Sequence, residues 1–436
     1  MLNRVTLVLF MLLLLSLPSS IQAQQDPIEN LIGPDTYPAN MNPLTGLVVD
    51  NPALLERRPL LVKISNSPAI VRPQSGLNEA DIVWEHLLSG GVTRFSAIFL
   101  GQDLEKVGPI RSGRLVDFEL TRIYRSLFIY SGMAQGTIDI LNQDALVSTR
   151  VVGGAGPCPA LCRYPRAGVA LEHTLFGNTL DLRDLAIEMG RDTSPQPVYG
   201  MAFSETPPDG GIATNGIDIN YNETTIEWSY DAGSDRWLRA QDGIAHFDGL
   251  TMDQVSAANI VVFEEEHTIQ PEVTLDYWGP GDFAFSVNFI GSGRVYLFRD
   301  GQYFEGEWRR ETQEGVLTYF DLNGNPLPFK PGNTFFNLVP RWVDGYQLSF
   351  HLADAPLARI MGDIGQNMRT GPSEAYRQLD VAYPGDTFSA IGRNRSADWV
   401  QVERDGDGVY WMALSSLDLN GFNVNQLPIS RPTNER

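Results

Sequence analysis

Four arginines recur in turn-like settings: Arg72 before Pro73, Arg94 at a strand start, and Arg111 and Arg114 flanking Ser112-Gly113 just ahead of a helix. Guanidinium forks suit carboxylate or phosphate, and donors just before a helix add to the positive end of its dipole. Together with Ser112 they define a candidate anion site. The same arginines can instead pair with Glu79, Asp81, Glu85, Asp117 or Glu119 and fix loops. At the level of sequence both readings stand. Glu85 beside His86, and His173 after Glu172, are the candidate acid/base groups, since a carboxylate or imidazole near arginines can move protons near neutral pH. A histidine at a strand end also reads as an ordinary satisfied surface group.

The run Leu127-Phe-Ile-Tyr-Ser-Gly-Met-Ala-Gln-Gly136 reads as strand, turn and helix, the position where open α/β sheets bind ligands, which makes Ser131 a candidate pocket wall. It is neither a G-x-S-x-G elbow nor a phosphate loop with lysine, so it is a weak nucleophile signal. The five histidines are scattered from His86 to His351 with no clustered carboxylates, so no metal site is expected, and no cofactor motif is present. Cys158 and Cys162, the only two cysteines, lie in a turn-rich C-x3-C segment that reads as a local disulfide in an oxidising compartment.

The elements that must position these residues begin near Leu44. Apolar runs predict strands over Leu60 to Ser65, Ile82 to Leu88, Phe95 to Leu100 and Leu127 to Tyr130, with helices over Leu115 to Ser126 and Thr179 to Met189. This is an α/β pattern, assigned to an N-terminal domain over 44–193. After a Pro/Gly-rich break from Ser194 to Gly211, short strands with Asp300-Gly301 and Asn323-Gly324 turns predict a mainly β domain over 212–342. A third unit of short strands follows over 358–420.

Length and composition agree with several domains: 436 residues, 43% hydrophobic, with 41 Gly and 28 Pro. The 32 basic against 53 acidic residues give a net charge of −21, whose field opposes binding to nucleic acid or an anionic membrane surface. Arg4, the apolar run Val5 to Leu17 and Ala23 read as a secretory signal peptide over 1–23, followed by a flexible lead-in over 24–43. The apolar run is too short to span a bilayer, so no membrane span is expected after cleavage. No cysteine stands near the cleavage region, so lipid attachment there has no acceptor.

Two resemblances add to this. Asn367-Met-Arg-Thr-Gly-Pro-Ser373, Val381-Ala-Tyr-Pro-Gly385, Asp398-Trp-Val-Gln-Val402 and Val409-Tyr-Trp-Met412 resemble the bacterial SH3-like domain, a small β-barrel, with Tyr410 standing where that family has Gly. The resemblance implies a module that docks onto cell-wall polymer or an envelope protein. Tyr376, Tyr410 and Trp411 are its candidate surface rings, and Trp399 reads as core. Residues 42 to 340 resemble the YerB-like (DUF3048-type) family of exported bacterial proteins, through Asn42-Pro-Leu-Thr-Gly46, Ala80-Asp-Ile-Val-Trp-Glu85, Gly91-Val-Thr-Arg-Phe95, Val107-Gly-Pro-Ile-Arg-Ser-Gly-Arg114 and Glu172-His-Thr-Leu-Phe176. That family supplies no reaction. The chain departs from it in lacking a lipidated cysteine and in carrying Ser131-Gly-Met-Ala-Gln-Gly136 where relatives show a His-containing turn. The expected function is an exported envelope-binding protein that holds an anionic group. The alternative is a wall-polymer hydrolase or transferase using Glu85 or His173.

Overall fold

β1 (Leu60–Ser65), β2 (Ile82–Leu87) and β3 (Thr93–Phe99) are buried at every residue. Nearly continuous apolar runs of this kind need cover on both faces of the sheet. The computed structural model describes residues 30–275, 282–341, 347–404 and 408–431, so the signal segment and residues 24–29 of the lead-in lie outside the described residues, whereas residues 30–43, expected to be flexible, are tied to the fold, with Ile32 bridging Phe203 and Asn42 Nδ2 donating to Asp81 at 2.8 Å. β3 pairs antiparallel with both neighbours, setting Lys63 opposite Ser96, Ser65 opposite Arg94, and His86 opposite Arg94. Side chains alternate along a strand, so Lys63, Ser65, His86, Arg94 and Ser96 share one face. Glu85 faces the other way with Ile64 and Phe95.

β1 also pairs in parallel with β4 (Leu127–Tyr130), which pairs in parallel with β5 (Val151–Gly153). Three α-helices flank this part among the described residues: α1 (Leu115–Ile123), α2 (Gln135–Gln143) and α3 (Thr179–Glu188). Asp117 in the first turn of α1 accepts from the Arg114 backbone at 2.6 Å, and Asn178 caps α3 through the Leu180 and Asp181 amides. The protein is multi-domain and mostly β. Its helices over Leu115–Ile123 and Thr179–Glu188 end earlier than the sequence predicts, and much of the cover over the sheet comes from further strands.

The free edge of β2 is taken by the strand Thr334–Pro340, which runs parallel to it with Ile82 opposite Thr334. That strand also pairs in parallel with Asn259–Glu265. A single 16-stranded sheet therefore crosses the boundary expected between the first two regions. One apolar core lies on each face. Val62, Phe95, Trp228 and Phe298 belong to one, and Leu61, Trp84, Phe263 and Phe336 to the other, where Trp84 stacks on Phe336 with ring centres 4.3 Å apart.

From Leu357 to Asp418 a separate seven-stranded sheet closes over Ala358, Met368, Phe388, Val400 and Met412. Trp411 is 1% exposed and belongs to the interior, which corrects its expected place on a binding surface. Tyr376 is also buried, Tyr410 is half-buried against the core, and Trp399 is half-buried. A unit this small has few other large side chains with which to fill its centre. Cys158 and Cys162 are joined as a disulfide.

Candidate functional site

Face alternation divides the residues singled out by sequence into two groups. Glu85 lies on the face turned away from His86. There Arg239 donates to both its oxygens at 2.9 and 2.8 Å, Thr93 Oγ1 donates at 2.6 Å and Asn66 Nδ2 at 3.1 Å. Both members of the Glu85–Arg239 pair are fully buried. Arg239 also bonds His246, whose Nε2 lies 2.6 Å from Gln74 Oε1. Glu85 is thus saturated inside a closed network, and the acid/base role expected of it gives way to a structural one. Arg72 lies on this side too, 3.4 Å from Asp242, and takes no part in the second group.

The second group forms at the ends of β1 and β3, where the Ser112 carbonyl accepts from Arg94 Nη1 at 3.0 Å and from Arg114 Nη1 at 3.2 Å. Arg114 Nη1 also donates to the Gly113 carbonyl at 2.9 Å. Arg111 is held by its backbone, its N–H donating to the Lys63 carbonyl at 2.9 Å and its carbonyl accepting from Ser131 N at 3.0 Å. Gly113 N donates to the Gly132 carbonyl at 2.9 Å, so the arginine turn and the Ser131 turn are stitched side by side. A Cβ at Gly113 would stand 2.6 Å from Met133 Cε and 2.9 Å from Phe128 Cζ, which is why the tightest point of the turn carries none.

His173 is buried beside this turn, with Nδ1 3.3 Å from Ser65 Oγ. Burial, then the nearby Arg111 charge, push it down to about 4, and Arg94 and Arg166 act in the same sense. It is neutral at physiological pH. Arg111 Nη1 reaches the neighbouring Glu172 carbonyl at 3.4 Å. Arg94, Arg111 and Arg114 therefore converge with His173, Ser112 and Ser131, and sequence placed these residues correctly with respect to one another only where they are adjacent in the chain.

Sequence reasoning passed over Lys63. It is fully buried, donates to Asp117 Oδ1 at 2.7 Å and to Ser96 Oγ at 2.9 Å, and also contacts His86 Nε2. Ser96 Oγ donates in turn to the same Asp117 oxygen at 2.6 Å, while the other oxygen takes the Arg114 amide. Burial, opposed by Asp117 and reinforced by Arg94 and Arg114, pushes Lys63 down to about 7. His86 is held well below its ordinary value by burial and by Lys63. The available signal was a single lysine inside the apolar run Leu60-Leu-Val-Lys-Ile-Ser65, an expensive placement without a partner. Among the described residues no three His, Cys, Asp or Glu side chains are grouped to hold a metal. No described helix is long and apolar enough to cross a membrane.

The chain matches two profiles of the family described as Protein of unknown function (DUF3048), the N-terminal domain over residues 44–190 and the C-terminal domain over 217–336, and it belongs to that family. A relative from Bacillus subtilis (strain 168), named as a putative lipoprotein, YerB, is 31% identical over 311 residues, covering 70% of this chain and 88% of that one. The crystal structure of Bacillus subtilis YerB superposes with a TM-score of 0.57 at 27% identity, covering 69% of this chain and 96% of its own.

Proposed function

We propose that this is an exported protein that binds an anionic group of the cell envelope at Arg94, Arg111 and Arg114. The observation that carries the reading is the meeting of Arg94 and Arg114 on one carbonyl, that of Ser112, with Arg111 beside them. Guanidinium groups held by backbone carbonyls keep their charge, and preorganisation lowers the entropy cost of binding. Export is supported by the signal-like first residues and by a relative named as a lipoprotein. The C-terminal unit, whose sequence resembles bacterial SH3-like modules, would tether the chain to wall polymer or an envelope protein through exposed residues and Tyr410 rather than through Trp411.

A second reading, a hydrolase or transferase on a wall polymer, is favoured by one observation. His173 is neutral, lies next to arginines and shares a hydrogen bond with Ser65 Oγ, as a general base would. Co-sedimentation of residues 24–436 with the host's insoluble wall fraction separates the readings, alongside a chain ending at Val343 and an Arg111→Ala/Arg114→Ala variant. Calorimetric titration with sulfate reports the anion site itself. Pelleting lost on truncation, with sulfate binding lost in the arginine variant and no fragments released, supports the binding protein. Fragment release that disappears in His173→Gln supports the enzyme. Unchanged sulfate binding in the arginine variant overturns the anion site.

A further inference from the structure

A cavity of about 860 Å³ lies away from the arginine turn, between the long sheet and the C-terminal unit. It opens where the sheet forks. The strand Gln302–Arg310 pairs at its start with Ile212–Asn220, through Gln302 and Tyr303, and at its end with Thr318–Asp321, from Gly306 onward. Among the described residues, Phe304 and Glu305, between these two partners, are paired on the opposite edge only, with Leu297 and Tyr296. Consecutive strand residues direct their backbone polar groups to opposite edges, so this gap turns one N–H and C=O set toward the slot.

We propose that this fork is a docking site for an extended, lysine- or arginine-bearing peptide segment of a partner protein, added as a short strand beside Phe304 and Glu305. Strand addition supplies the backbone pairing, and alternate side chains supply selectivity. The apolar lining, including Phe304, Leu327 and Phe422, receives one side-chain set. The other set meets carboxylates, since Asp209, Glu305, Asp321 and Asp354 line the groove and, among the described residues, no Lys, Arg or His does. Glu305 is already paired with Arg294 at 3.0 Å. Asp209 and Asp354 are exposed and form no ion pair among the described residues, which makes them the recognition charges. The cavity size is that of a ligand site, in the range of roughly 300 to 1,000 Å³. An anionic segment is excluded by the same carboxylates. The site is independent of the anion turn, and either can fail without the other.

The test is fluorescence anisotropy with residues 24–436 and fluorescein-labelled octapeptides of alternating Lys-Val, Ser-Val and Glu-Val. The Lys-Val peptide binds and the Glu-Val peptide does not. Asp209→Lys/Asp354→Lys weakens Lys-Val binding by about tenfold or more, whereas Asp50→Lys/Glu188→Lys, an equal charge change at exposed positions outside the groove, changes it by less than about twofold. Ala213→Trp, at an exposed position of the lining, blocks the slot without a charge change and abolishes binding while the far-ultraviolet spectrum is kept. Equal loss in both charge-reversed pairs would reduce the effect to general attraction by an acidic chain and overturn the proposal. So would equal binding of Ser-Val and Lys-Val, preference for a neutral glycan such as chitohexaose, or no binding of Lys-Val.

Discussion

Replacing Glu85 by Gln removes one charge from a pair in which both side chains are fully buried. The four bonds to Glu85 come from Arg239, twice, and from Thr93 and Asn66. Gln keeps an acceptor for Thr93 and Asn66, but its amide turns a donor toward the guanidinium. Arg239 is then a lone cation without solvent, and breaking such a pair from one side costs about 3–5 kcal/mol. Arg239→Met alone leaves Glu85 charged and buried and costs a similar amount. The double variant Glu85→Gln/Arg239→Met holds no buried charge at this point, so its loss falls short of the sum of the single losses by at least about 2 kcal/mol. Urea unfolding followed by tryptophan fluorescence measures all three, with Trp228 and Trp237 close to the pair's side of the sheet. A loss below about 1 kcal/mol for Glu85→Gln would refute the reasoning, because a charge so cheaply removed must reach water. It would also return Glu85 to the set of acid/base candidates.

Other outcomes follow from the same geometry. His86, His173, His246 and His267 are all held below their ordinary value of 6.5 by burial, so below that pH the unfolded chain takes up protons the native chain refuses. Stability therefore falls as pH drops from 6.5 toward 5, by up to about 1.4 kcal/mol per pH unit for each histidine. Asp81, raised from 3.8 to about 6 by burial, holds a native proton that the unfolded chain sheds, and so offsets one histidine over that window. Unfolding at pH 7, 6 and 5 checks this, and a flat profile contradicts it. Gly113→Ala forces a Cβ against Met133 and Phe128, costs about 1–3 kcal/mol, and weakens sulfate binding by moving Arg111 and Arg114; unchanged affinity would detach the turn from the site. Trp411→Ala costs the C-terminal unit about 3–5 kcal/mol, while Tyr383→Ala, at a side chain 63% exposed, stays within about 0.5 kcal/mol, as differential scanning calorimetry will report.

The strands were legible where an apolar run is bounded by turn residues. Leu60–Ser65 and Leu127–Tyr130 stand as expected, and the helices begin at Leu115 and Thr179 as their spacing predicts. The closeness of Arg111 to Arg114 is local and readable. The arrival of Arg94 beside them depends on strand register, and that of His173 on a long connection, neither of which local pattern encodes. Glu85 and His86 were grouped by adjacency, yet the two-residue strand period sends neighbours to opposite faces. Its partner Arg239 lies 154 positions along the chain and leaves no local trace. Trp411 was placed outside because its ring chemistry suits ligands, whereas a small core's need for volume drew it in.

The strand Thr334–Pro340 lies between β2 and Asn259–Glu265, and about 250 residues separate it from β2 in the chain. Growing chains emerge from their amino end, so β1 to β4 are made long before the strand that closes their edge. Until Thr334 arrives, β2 presents an unpaired, apolar rim, the kind of surface on which chains stick to one another. Pairing of the two family regions through this strand is therefore completed only after Thr334–Pro340 has been made. A chain halted before Thr334 keeps that rim open to strand pairing with another chain.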